Sequence, residues 1–267
     1  IWHESRCQKK SMAIRKIPEY LRFDHNMLVK SDYAPESIIN LLENSVLAHL
    51  SVVVGGQPHA GKTELIKYLS TKIPHNEKAG VYEDNQEIHY RKINPNKKCV
   101  EFFVDDKVTY PDIIKAGLRH NIDWILLSES RGPEVAHLLN SLSTGSYCMT
   151  TMHLDDVRDM PDRMYNMLGS SNINERFINS IYKYIDLVVL IECDKYEKRC
   201  IKQVGFLSRE NGHNMCSVIY EDGAFTDEKI PAVIMDKFLK KGIKNIYELS
   251  ADEMSTKLKK AIQLVYH

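Results

Sequence analysis

Hydrophobic positions in this chain alternate between short β-branched or aliphatic runs and stretches with apolar residues every three or four positions. Runs of the first kind predict buried strands, and stretches of the second kind predict helices that cover them. Residues 50–54 predict a strand. Residues 64–73, apolar at 65, 66 and 69 and stopped by Pro74, predict a helix. Before them, 12–17 reads as a strand, 31–35 as a loop and 36–46 as a helix. After them, 79–84, 88–93 and 99–104 read as strands, and 110–119 as a helix opened by Pro111. Residues 123–129 form an apolar run ending in a carboxylate, a buried strand of a parallel sheet. A helix through Leu142, a strand at 147–153, helices at 155–168 and 173–184, and a strand at 185–192 follow. Strands at 200–206 and 217–221 and helices near 231–240 and 251–265 complete a smaller C-terminal layer. Strands alternating with helices predict an α/β fold, a mainly parallel sheet with helices on both faces. Three parts are expected: a short N-terminal segment and linker at 1–45, a core at 46–195, and C-terminal strands and helices packed on it at 196–267.

Between the first of these core strands and its helix stands Gly55-Gly56-Gln57-Pro58-His59-Ala60-Gly61-Lys62-Thr63, followed by Glu64. Gly56, Gly61, Lys62 and Thr63 fit G-x-x-x-x-G-K-[ST]. Such a loop presents backbone N–H groups to phosphates, a lysine to neutralise them and a hydroxyl to hold Mg²⁺. The following helix N-terminus adds a partial charge of about +0.5. Strand, loop and helix stand in the order that this chemistry requires, so residues 56–64 are expected to bind a nucleoside triphosphate such as ATP.

Composition narrows the picture by exclusion. Lys+Arg and Asp+Glu both number 36, so the net charge gives no footing for a general nucleic-acid binder or a polybasic membrane surface. No apolar run approaches the length of a membrane span, and the first residues lack the apolar centre of a signal peptide. A soluble, intracellular protein with reduced thiols is expected. The six cysteines show no C-x-x-C pair, and their spacing gives no support to a metal site.

Hydrolysis needs carboxylates besides the loop. Glu129, at the end of an apolar strand, is the candidate beside Mg²⁺, and Glu83 is the candidate that orients the attacking water; a solvated strand end is the alternative for each. Together these segments resemble the type II and type IV secretion ATPases, the traffic ATPases of conjugation, pilus assembly and protein secretion. The resemblance covers about residues 27–191 and rests on four boxes in order. They are the phosphate loop, the acidic box Glu83-Asp84-Asn85-Gln86-Glu87, the segment Leu118 to Gly132 around Glu129, and the histidine box with Thr144-Gly145-Ser146 and Thr150-Thr151-Met152-His153.

The resemblance implies a RecA-like motor domain that assembles into a homo-hexameric ring and couples ATP hydrolysis to movement. Glu83 would polarise water, Glu129 would act on Mg²⁺ through water, with Thr63 as its other ligand, and His153 would contact the γ-phosphate region. Arg119 and Arg131 would stabilise charge or pair across the ring, with structural salt bridges as the alternative. Arg15 and Arg22 are candidates for contacts with a neighbour's site. Partners would be inner-membrane components of a secretion or pilus machine, with the protein cytoplasmic and held at the membrane through them, and with no direct nucleic-acid contact. Departures from the family pattern are Ser146, Asn85 and Ser128, together with Pro58, His59, Ala60 and Glu64 in the loop. Proline lacks an N–H for the cradle, and Glu64 opposes phosphate unless it points away. They motivate an alternative: a nucleotide-binding structural ring subunit with weak or no turnover.

Overall fold

Val52, Val53 and Val54 are all fully buried, yet successive side chains of a strand point to opposite faces. A strand like this must be covered on both sides, and it is. In a computed structural model, which describes residues 17–168 and 175–249, strand β1 (Val52–Gly56) lies deep inside a nine-stranded sheet. The other strands are β2 (Lys78–Glu83), β3 (Lys98–Phe103), β4 (Trp124–Leu127), β5 (Tyr147–Met152), β6 (Leu187–Cys193), β7 (Arg199–Glu210), β8 (His213–Glu221) and β9 (Ala224–Phe225). Their order is β3-β2-β4-β5-β1-β6-β7-β8-β9. The six strands from β3 to β6 in that order pair in parallel, and β7 to β9 continue the same sheet antiparallel.

The helices are α1 (His25–Lys30), α2 (Glu36–Leu47), α3 (Lys62–Ser70), α4 (Tyr90–Ile93), α5 (Tyr110–Gly117), α6 (Glu134–Ser143), α7 (Met160–Asn166), α8 (Glu175–Tyr184) and α9 (Ala232–Lys240). Two apolar clusters divide them. One joins Val52, Val54 and Val189 to residues of α2, α3 and α9. The other joins Val53, Val188 and Leu190 to residues of α5 through α8. The expected α/β fold with helices on both faces is therefore observed.

One element differs from expectation. Residues 88–93 form not a strand but a turn and the single helical turn α4. Ile88 and Tyr90 are both fully buried, and their spacing of two mimics a strand. His89 between them takes a left-handed φ of 49°, which turns the chain into the helix. The helix expected over 155–168 is shorter, with a 3₁₀ turn at Val157–Asp159 before α7. Residues 12–16 of the expected first strand, and the expected helix at 251–265, lie outside the described residues.

Helix α3 is fixed at its far end by charged contacts. Lys97 Nζ donates to the carbonyls of Thr71 and Ile73, both at 2.6 Å, beyond the helix C-terminus, where a cation suits the backbone dipole. Buried Glu43 of α2 accepts from His25 Nδ1 at 2.7 Å, from Lys72 Nζ at 2.6 Å and from the Tyr68 hydroxyl. Burial opposes its charge, but these donors hold its carboxyl at about 2. The end of α3 that faces the cleft is thus backed by a rigid mount.

Candidate functional site

The carboxyl ends of β1, β2, β4 and β5 open onto one cleft of about 470 Å³. An open parallel sheet places ligands at this edge. Its floor is the loop between β1 and α3. Gly56 has φ 149°, and a Cβ on it would stand 2.5 Å from the Ile191 carbonyl oxygen. Gly61, at φ 99°, is the residue before α3 and turns the chain into the helix. Only glycine meets both demands without strain. His59 also has a positive φ, 65°, and is exposed at the cleft with Pro58. Gln57 donates to the Asp155 carboxylate, which anchors the tip of the loop to the segment after β5. Ala60 is buried beneath the loop.

Lys62 opens α3, and its Nζ donates to the carbonyls of Gly56 at 2.9 Å and Gln57 at 3.0 Å. It also stands 3.4 Å from His153 Nδ1. His153 Nε2 lies 3.0 Å from Glu129 Oε1, and Glu129 Oε2 accepts from Arg131 Nε at 2.7 Å. Arg131 Nη2 then reaches Asp84 at 3.4 Å. A line of paired polar and charged groups, Lys62, His153, Glu129, Arg131 and Asp84, therefore crosses the cleft. A neutral imidazole with its proton on Nε2 satisfies both neighbours, because it donates to the carboxylate and turns a bare nitrogen to the ammonium.

The acidic box is arranged less simply. Glu87 meets the Thr63 hydroxyl, which donates to Glu87 Oε2 at 3.1 Å. Glu83, only 2% exposed, is not among the residues lining the cleft. Its Oε1 accepts the backbone N–H groups of Glu87 at 3.1 Å and Ile88 at 2.9 Å, closing the turn after β2. Burial pushes its carboxyl up to about 7, against the lowering effect of those two donors.

Arg119 lies in an exposed 3₁₀ turn, Leu118–His120, away from the cleft. Arg15 lies outside the described residues, whereas Arg22 lines the cleft. Sequence reasoning missed the outer wall. Ile17, Pro18, Phe23 and Tyr33 line it from the N-terminal segment, and Arg199 from β7. Arg199 donates to the His59 carbonyl through Nε at 3.4 Å and Nη2 at 3.3 Å. No local pattern marks a residue 140 positions beyond the loop it touches.

Backbone N–H groups at the start of α3, a lysine, a hydroxyl and carboxylates on one cleft can receive phosphates together with a hard cation. Among the described residues no group of three or more His, Cys, Asp or Glu is placed to hold a metal alone. That donor set suits a cation sharing its shell with phosphate oxygens and water.

Comparison with known proteins identifies the family and the fold. The family profile described as "Type II/IV secretion system protein" matches residues 6–263. The chain belongs to that family. Among individual members, an uncharacterized protein of Bacillus anthracis is 27% identical over 208 residues, 73% of this chain and 47% of that protein. A putative conjugal transfer protein of Mycobacterium tuberculosis is 24% identical over 196 residues, 70% of this chain and 55% of that protein. The crystal structure of the VirB11 ATPase from the Brucella suis type IV secretion system superposes with a TM-score of 0.57 at 21% identity, covering 70% of this chain and 63% of that one. This last likeness establishes the RecA-like fold. The chain spans about half the length of the curated relatives it matches. No helix among the described residues is long and apolar enough to cross a membrane.

Proposed function

We propose that this chain is an ATP-hydrolysing motor subunit of a type IV secretion, conjugation or pilus assembly machine. The observation that carries the reading is the charged line from Lys62 through His153 to Glu129, set across a glycine-turned loop at a helix N-terminus. Lys62 compensates charge on the terminal phosphates, and the first N–H groups of α3 bind their oxygens. The Thr63 hydroxyl and, through water, Glu129 hold Mg²⁺, which when bound draws charge from the phosphates. His153 senses the terminal phosphate and passes its presence to Glu129. Glu83 is the water-orienting base, and a carboxyl raised to about 7 is well matched to taking a proton near neutrality. Arg131 stabilises charge beside Glu129, while exposed Arg119 and Arg22 are free to serve a neighbouring subunit of a homo-hexamer. The protein works in the cytoplasm and reaches the inner face of the membrane through partner proteins of its machine.

A second reading has its own support. Glu83 is engaged by two backbone N–H groups in a turn beside the cleft, and Pro58 removes one donor from the loop. Both observations favour a ring subunit that binds nucleotide and turns it over slowly. Steady-state Mg²⁺-ATP turnover of wild type, Lys62→Ala and Glu83→Gln separates the two. The motor reading expects turnover that both substitutions abolish; a wild type that binds ATP without hydrolysing it supports the structural subunit instead.

A further inference from the structure

The phosphate end and the outer wall of the cleft meet at Glu64. This residue follows Thr63 on α3 and lines the cleft with Pro18, Phe23 and Tyr33. A carboxylate beside a phosphate loop should be repelled by the ligand, so its local partners matter. One oxygen, Oε1, accepts from Lys67 Nζ at 3.1 Å, and that fully buried ammonium also donates to the Pro18 carbonyl at 2.8 Å. The pair turns Glu64 towards the N-terminal segment, one side of α3, while Thr63 is turned to Glu87 on the other. The second oxygen, Oε2, is buried and has no hydrogen-bond partner among the described residues.

A buried carboxylate oxygen without a donor is costly, and a ligand hydroxyl would relieve that cost. Beyond it the part of the wall from the N-terminal segment is apolar and aromatic apart from Arg22, with the Phe23 and Tyr33 rings 5.9 Å apart, a surface for a flat heterocycle. A ligand with phosphates on the loop and a flat ring against that wall passes its sugar by Glu64. We infer that Glu64 accepts a hydrogen bond from a sugar hydroxyl, so that the site selects nucleoside triphosphates with an intact ribose over analogues that lack that hydroxyl. The inference rests on the nucleotide-binding reading above and assigns the departure at Glu64 a use: an anion misplaced for phosphate is well placed for a hydroxyl.

Binding of ATP, 2′-deoxy-ATP, 3′-deoxy-ATP and inorganic tripolyphosphate, each with Mg²⁺, is measured by calorimetry on wild type, Glu64→Ala and Glu64→Gln. Thermal melts confirm that each variant is folded. One charged hydrogen bond predicts that wild type prefers ATP to at least one deoxy analogue by about ten- to hundredfold. Glu64→Ala should reduce that ratio to near one, with Glu64→Gln between. Loss of the anion relieves a repulsion that ATP and its two deoxy analogues share, so that component leaves their ratio unchanged and only the lost hydrogen bond lowers it. Equal binding of ATP and both deoxy forms by wild type, or a ratio unchanged in Glu64→Ala, overturns the inference while leaving nucleotide binding intact. A wild type that binds none of the four overturns both.

Discussion

The two edges of the sheet carry similar side chains and use them in opposite ways. At the amino edge, Glu77 ahead of β2 accepts from His49 Nε2 at 2.6 Å and from Trp124 Nε1 at 2.7 Å, with the His49 ring stacked on Trp124. Asp186 ahead of β6 accepts from the Ser51 N–H at 3.0 Å and Lys237 Nζ at 2.5 Å. These groups close on one another and tie the strand starts to each other and to α9. At the carboxyl edge, Lys62, Thr63, Glu129 and His153 also make contacts, but they make them along a cleft of about 470 Å³. Charge that is paired and walled in gives stability; charge that is paired on an open cleft remains available to a ligand.

The contrast is tested first where the effect is largest. Lys62→Ala should lower ATP turnover about a thousandfold, ~4 kcal/mol on the barrier, while its melting temperature stays close to wild type. A large loss of stability would place Lys62 with the amino-edge residues instead. Gly56→Ala should destabilise the fold by about 3 kcal/mol, because its φ of 149° and a Cβ 2.5 Å from the Ile191 oxygen cannot both be accommodated. Chemical denaturation measures this.

Glu77→Ala should cost about 2 kcal/mol of stability by leaving the Trp124 and His49 ring nitrogens unpaired, with nucleotide affinity unchanged by calorimetry. A change in affinity would show that the two edges are coupled. The Glu83 carboxyl, raised to about 7 by burial, keeps its proton in the folded chain where an unfolded carboxyl has lost it. Its contribution is fully present below the ordinary carboxylate range and is lost as pH rises through about 7. Glu83→Gln, which keeps an acceptor for the two N–H groups, should therefore be more stable than wild type at pH 8 by about 2 kcal/mol. That gap should shrink towards pH 5, as melts across the range would show. The smallest effect is Arg131→Ala, a few tenths of a kcal/mol in stability by denaturation, since its guanidinium side is largely exposed.

Much of the carboxyl edge could be read from the chain because its signals are local. Gly56, Gly61, Lys62 and Thr63 lie within eight consecutive residues, and the strand before them is β-branched, so motif and context were visible together. Glu129 stands at the end of an apolar run, which marks it as a strand-end group, whereas His153 is singled out by the resemblance of the histidine box. The acidic box shows the limit. Which of Glu83 and Glu87 meets the Thr63 hydroxyl depends on a turn whose backbone donors one of them captures, and no spacing rule encodes that choice. Residues 88–93 mislead for a related reason: buried Ile88 and Tyr90 with half-buried Ile93 satisfy two periods at once. The outer wall and the amino-edge pairs are illegible because each joins segments far apart in the chain, such as Arg199 with the His59 carbonyl or Glu77 with Trp124.

The reversal of direction at β7 has a consequence for how this site can change. Parallel strands bring their last residues to the cleft, but an antiparallel strand brings its first, and here that residue is Arg199 on the His59 carbonyl. The tight turn from Asp194 to Lys198 therefore sets where the guanidinium lands. A lengthened or shortened hairpin would reshape the phosphate loop without touching any residue of the motif. Variation within this family can enter the cleft through a turn that no phosphate-loop signature would mark.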